Sequence, residues 1–356
     1  MSIGEKPDQS ETPDKSETPE YGYTYVQGVG FVAHSPLHDE RRDLYIQANA
    51  VGFVILFYVF LQKALPHYLV RSLLFFLPNI RYFNAHLMAP EWLNQAMHGL
   101  SFVLCAIIAF GLYALFVKLP LRVALPLKRP LCSMTMPAVL ISLAAAVLGS
   151  LADKFLSRLL WRAGFIAIIP DFTIPQTVAG YVFAVINLVI LPAFVWQCVF
   201  NGVLLQSLRR FGDAFAVLVT GTLFCIMNLN TVQLPMSFLT GLVTGYFVIR
   251  TGSLWVGIIM QLCNNFLSVT LRLLPRFSGA YSELIWLAIA LICIVAGLIA
   301  TISLAHTSDN LFNLSSPKLA TDSGTRIKLF FTRPAMLVAL AVIFVTSLQG
   351  LQRLVR

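Results

Sequence analysis

Stretches of roughly 20 predominantly apolar residues recur along this chain, and each is long enough to cross a bilayer's hydrocarbon layer as a helix. About nine are present, at residues 49–65, 98–117, 134–151, 181–205, 214–230, 236–250, 254–273, 284–305 and 334–350. Eight is the alternative count, because 49–65 and 236–250 are short and need a thinned bilayer or flanking residues to cross. Period-two alternation is missing, so backbone groups must be satisfied inside helices and not around a barrel. The expected fold is all-α, a polytopic helical membrane protein with about 8–9 transmembrane helices. Composition agrees, since only 12% of residues are charged and 58% are hydrophobic, whereas soluble globular chains carry about 25% charge.

The first 44 residues are polar and write one hexapeptide twice with a single change, DQSETP at 8–13 and DKSETP at 14–19. With almost nothing apolar to bury, this segment is expected to be a disordered tail, and Ser10, Thr12, Ser16 and Thr18 are open to modification. The first apolar run begins only after Ala48, which reads as a retained anchor and not a cleaved leader. The chain then divides into N-terminal transmembrane and interfacial helices at 45–175, a central helical core at 176–275, and C-terminal transmembrane helices at 276–356.

A net charge of +9 reflects Lys and Arg around the spans, a bias that sets orientation and does not call for a nucleic-acid partner. With nine alternating spans, Arg41, Arg42, Lys118, Arg122, Lys128, Arg129, Arg209, Arg210, Arg250, Lys318, Arg326, Lys328 and Arg333 share one side, assigned as cytoplasmic. Ten other basic residues, Lys154, Arg158, Arg272 and Arg276 among them, remain opposite, so the asymmetry is modest. Leu69–Phe83 and Leu159–Pro170 mix Arg with aromatic residues and Leu, and they are expected to lie as helices in the interface.

The drawn spans hold no Asp or Glu, which removes most routes to intramembrane catalysis or proton pumping. Three spans instead carry amides expected to face one another: Gln197 with Asn201, Asn228, and Gln261 with Asn265. Residues four apart share a helical face, so each pair presents two amides on one side. The six cysteines show neither CxxC spacing nor an extracellular framework. Cys198, Cys225 and Cys263 lie within two residues of Gln197, Phe224 and Gln261, leaving a thiol cluster as an alternative chemistry, although no activating base or cation is evident. Of the histidines only His98 falls in a drawn span, and Ser253 sits where it would cap the helix after it.

The central segment reads LPAFVWQCVFNGVLLQSLRRFG at 191–212, LFCIMNLN at 223–230 and GLVTGYFVIRTGSLWVGIIMQLCNNF at 241–266. It resembles the CAAX-protease and bacteriocin-processing (CPBP, Abi) family of intramembrane metalloproteases. That family carries E-E-x-x-x-R followed by Gly, then F-x-x-x-H, then H-x-x-x-N after a stretch like GYLYLRTGSLW. The surrounding frame is present in Phe200, Gly202, Arg209, Phe224, Gly241, Gly245, Tyr246, Arg250, Gly252, Trp255 and Asn265. The functional positions differ. The paired glutamates fall on Trp196 and Gln197, the arginine on Asn201, and the histidines on Asn228 and Gln261; only Asn265 keeps its identity.

The resemblance implies, for active relatives, a glutamate that activates water, histidines that bind or orient the reacting group, and an asparagine that helps hold the oxyanion. An indole or an amide cannot take a proton near neutral pH, and amides are poor zinc ligands. No catalytic residue, metal or other cofactor is therefore expected. Gln197, Asn201, Asn228, Gln261 and Asn265 are expected to form a neutral binding site for a lipidated or transmembrane peptide or a membrane-protein partner, with membrane lipids around them, in a bacterial cytoplasmic membrane. Three alternatives stand beside this: amides that only hold the bundle together, a residual peptidase using Cys198 or Cys225, and a permease for a small solute or lipid.

Overall fold

The computed structural model describes residues 22–26, 30–34, 36–76, 81–83, 86–88, 90–130, 132–167, 177–307, 314 and 320–353. Helices dominate: α1 (Pro36–Phe76), α2 (Glu91–Phe116), the single turn α3 (Leu121–Ala124) and α4 (Cys132–Arg162). A long α5 (Val178–Phe211) follows, then α6 (Asp213–Met227), α7 (Leu234–Thr251), α8 (Leu254–Ser278), α9 (Ser282–Thr307), α10 (Ser323–Phe331) and α11 (Pro334–Leu348). Strands are confined to three short antiparallel pairs: β1 (Gly22–Val26) with β2 (Gly30–His34), β3 (Arg81–Phe83) with β4 (His86–Met88), and β5 (Phe165–Ala167) with β6 (Leu351–Arg353).

The all-α polytopic reading holds, with a lower span count. Among the described residues seven helices are long and apolar enough to cross, or eight if α10 and α11, bent by 67°, act as one span. The stretch drawn at 214–230 is the 15-residue α6, about 22 Å long and so short of a roughly 30 Å hydrocarbon layer. It stops because Leu229 turns left-handed (φ 53°) and the Asn230 side chain accepts from Val232 N at 3.2 Å, closing a turn before Pro235 starts α7.

Part of the expected polar tail at 1–44 is structured. Residues 1–21 lie outside the described residues, but β1 and β2 form a hairpin and α1 already begins at Pro36. Neither expected interfacial helix is a separate element among the described residues. Residues 69–76 are the last turns of α1, which ends two residues before Pro78, and 159–162 are the last turn of α4, followed by β5.

Contacts sort the charges to two ends. Arg210 Nη1 lies 3.8 Å from Asp43, Arg333 stacks 4.9 Å from the Tyr45 ring centre, and Ser253 Oγ donates to the Lys128 carbonyl at 2.6 Å. At the opposite end Lys154 stands 3.4 Å over the Trp286 ring and 3.8 Å from Glu283. Between the ends, α1, α2, α5, α6 and α8 share a core that includes Tyr58, Phe110, Leu204, Leu205, Leu223 and Ile258. Arg326, 5% exposed, donates from Nη1 to the Phe211 carbonyl, and so caps the C-terminus of α5 from another helix.

Candidate functional site

Helix α5 is not regular. It widens to π-helical turns at Ile186–Ile190 and Gln197–Leu204, a geometry that often accompanies functional sites. Pro192, just past the first widened turn, has no N–H to give to the carbonyl ladder. The Val189 carbonyl in that turn accepts from Asn265 Nδ2 on α8 at 3.0 Å. The second widened turn holds Gln197 and Asn201.

The amides form one directed chain. Asn201 Nδ2 donates to Gln197 Oε1, Gln197 Nε2 to Gln261 Oε1 at 3.4 Å, Gln261 Nε2 to Asn265 Oδ1 at 2.9 Å, and Asn265 to Val189. Gln197, Gln261 and Asn265 each give and accept, so the chain runs without a charge. Gln197, Asn201 and Gln261 are 2%, 3% and 8% exposed, a burial that would be costly if they were unpaired. Gly257 makes the approach possible: a Cβ there would lie 2.6 Å from Gln197 Oε1 and 2.8 Å from Val248 Cγ2.

A cavity of about 280 Å³ opens beside this chain, walled by α5, α6, α7 and α8. Trp196, Asn228, Gln261 and Asn265 line it, while Gln197 and Asn201 stand behind its wall. Trp196 packs edge-on against Tyr58 and Phe102, with ring centres 5.8 and 5.3 Å away. Asn228 does not join the chain. It is an exposed residue at the C-terminus of α6, and its Nδ2 donates to Ser237 Oγ at 2.7 Å on α7. The structure thus brings together four of the five expected amides and places the fifth on the facing wall.

Several polar groups here were not singled out from the sequence. Asn264, 1% exposed, donates to Ser142 Oγ on α4 at 2.7 Å, and Thr240, Ser268 and Arg272 complete the polar lining. The adjacent Asn264–Asn265 pair was the only available signal, since Asn264 lies three residues from Gln261 and so near the same face. Asp153 lies two residues past the drawn span 134–151. Helix α4 runs on to Arg162, and Asp153, 7% exposed inside it, accepts from Met236 N at 3.1 Å, compensating the N-terminus of α7. Ser253 corrects one expectation: it holds the N-cap position of α8, yet its hydroxyl goes to Lys128 and makes no capping bond.

No carboxylate, imidazole or thiol is among the cavity-lining residues, and no three His, Cys, Asp or Glu cluster as metal ligands among the described residues. Indole, amide, hydroxyl and guanidinium groups do not suit the metal that the family resemblance implies. Cys225 Sγ donates to the Leu234 carbonyl at 3.1 Å, and neither it nor Cys198 or Cys263 reaches the cavity wall. His98 is exposed in the third turn of α2, away from this wall.

Residues 178–267 match the family model described as Rce1-like, type II CAAX prenyl endopeptidase Rce1-like. The matched segment is α5, α6, α7 and the first half of α8, the helices that wall the cavity. No curated protein and no solved structure matches the chain.

Proposed function

We propose that this integral membrane protein is a non-catalytic relative of the CAAX prenyl endopeptidases, binding a lipidated or transmembrane peptide of a membrane partner in the cavity between α5 and α8. The supporting observation is the directed amide chain from Asn201 to Val189, which occupies family catalytic positions with neutral groups that satisfy one another. General-base hydrolysis needs a group that gains a proton near neutral pH, and the cavity lining supplies none. Positioning of a bound segment falls to Trp196, Asn228 and Gln261 at the wall, with a bacterial cytoplasmic membrane as the proposed location.

Purified protein is expected to capture a photo-crosslinkable prenylated peptide from position 196 or 261 without shortening it. Hydrolysis that disappears in Asn228→Ala or Gln261→Ala would overturn the reading, as would crosslinks to lipid alone. Thiol catalysis is tested by Cys198→Ser and Cys225→Ser, which are expected to change nothing.

A further inference from the structure

A second concavity of about 530 Å³ runs along the outside of α1 and α2, apart from the helices that wall the amide cavity. Phe53, Phe57, Leu112 and Phe116 line it, with Tyr45 and Ile46 at one end. From Tyr45 to Phe57 the helix rises about 18 Å, comparable with one leaflet of a hydrocarbon layer about 30 Å thick. The groove therefore has the length of a single acyl chain layer and not of a complete crossing helix.

Its character changes at the Tyr45 end. The Arg333 guanidinium lies 4.9 Å from the Tyr45 ring centre, and its buried Nε has no hydrogen-bond partner. Asn49, on the groove wall, accepts from Ala335 N at 3.2 Å and so fixes the first turn of α11 and the arginine before it. Arg42 is exposed one turn beyond Ile46 on the same helical stripe. Two acids of this helix start have other partners: Glu40 accepts from Ala320 N and Thr321 N at 2.9 and 3.2 Å, and Asp43 lies 3.8 Å from Arg210. The half-buried Arg333 and the exposed Arg42 thus put two positive charges at one end of an apolar groove, where a phosphate would make charge-assisted bonds.

We propose that this groove holds one phospholipid with an anionic headgroup, its acyl chain along α1 and α2 and its phosphate against Arg333 and Arg42. An apolar helix of another protein, or of a second copy, would fill the groove but bring no negative charge to the arginines at its end. Basic residues close to a membrane surface favour anionic lipid by about fivefold each.

The test uses the full chain in nanodiscs of phosphatidylcholine alone or mixed with phosphatidylglycerol, reading bound lipid by native mass spectrometry after mild delipidation. Phosphatidylglycerol is expected to be retained over phosphatidylcholine, and Arg333→Gln or Arg42→Gln to reduce that preference by about fivefold. Leu112→Trp, which fills the groove, is expected to lower retention of both lipids. Soluble glycerol phosphate is expected not to compete. Equal retention of the two lipids, an undiminished preference in both arginine variants, competition by glycerol phosphate, or crosslinks from Phe53 to a second copy that exclude lipid would each overturn the proposal. If Arg333→Gln does not fold, Arg42→Gln and Leu112→Trp decide it.

Discussion

Replacing Asn265 by leucine tests whether the amide chain fastens α8 to α5 or merely decorates the interface. The side chain keeps its approximate size, but the Val189 carbonyl loses its donor and Gln261 Nε2 loses its acceptor. Interhelical bonds in membranes average about 0.6 kcal/mol and reach about 1.7. The Asn265–Val189 bond, at 3.0 Å, sits at the favoured length, and Gln261 feeds it from 2.9 Å. Its loss therefore belongs in the upper part of that range, about 1–1.7 kcal/mol, or an about five- to eighteenfold larger unfolding constant. Gln197→Leu is the internal comparison. Its interhelical bond to Gln261 is long at 3.4 Å, so removal is expected to cost under about 0.5 kcal/mol from that contact, plus a few tenths from the same-helix bond to Asn201. Unfolding in mixed micelles, titrated by the mole fraction of denaturing detergent, measures both. The reasoning fails if Asn265→Leu is indistinguishable from wild type, or if Gln197→Leu costs more than Asn265→Leu.

Gly257→Ala drives a methyl into Gln197 Oε1 and Val248 Cγ2, at 2.6 and 2.8 Å, and is expected to lower stability by about 1–3 kcal/mol as an overpacked site; an unchanged thermal midpoint would show that the helices separate freely. Asp153→Ala removes the acceptor for Met236 N at the start of α7 and should cost about 1 kcal/mol, with faster amide exchange confined to residues 234–240. Arg326→Met leaves the Phe211 carbonyl without its donor and Ser323 without its 2.9 Å partner. A loss of about 1.5–3 kcal/mol is expected in the same micelle titration, and stabilisation instead would mean that burying the guanidinium outweighs its bonds.

The membrane class was legible because apolar length is a one-dimensional property, and nearly every drawn stretch became a helix. What sequence could not fix was where helices stop. At the end of α6, Leu229 adopts positive φ and Asn230 closes a turn, leaving 15 residues where a crossing was drawn. At the ends of α1 and α4 the opposite happened, and the helices carry on past the expected boundary. Asp153 was misplaced for that reason alone. It lies two residues beyond a drawn span end, whereas the longer helix keeps it helical and turns it inward toward Met236. In the site, the four-residue spacing of Gln197 with Asn201 and of Gln261 with Asn265 carried the correct faces. The partners of Asn228 and Asn264 did not follow, because Ser237 and Ser142 are chosen by the rotation of α7 and α4, which no local pattern encodes.

The chemistry of an amide explains why these side chains hang together. Gln197 both accepts from Asn201 and donates to Gln261, a dual role that a carboxylate lacks once ionised. A glutamate at 197 would present an oxygen to the Gln261 Oε1 oxygen, and its charge would sit at a position only 2% exposed. A histidine at 261 changes that balance by placing a donor opposite the carboxylate. The positions are therefore coupled through geometry: each neutral residue suits the others, and one charged residue introduced alone meets partners arranged for amides. In that wall Trp196 is held by rings from α1 and α2, so helices outside the matched segment help shape the cavity too.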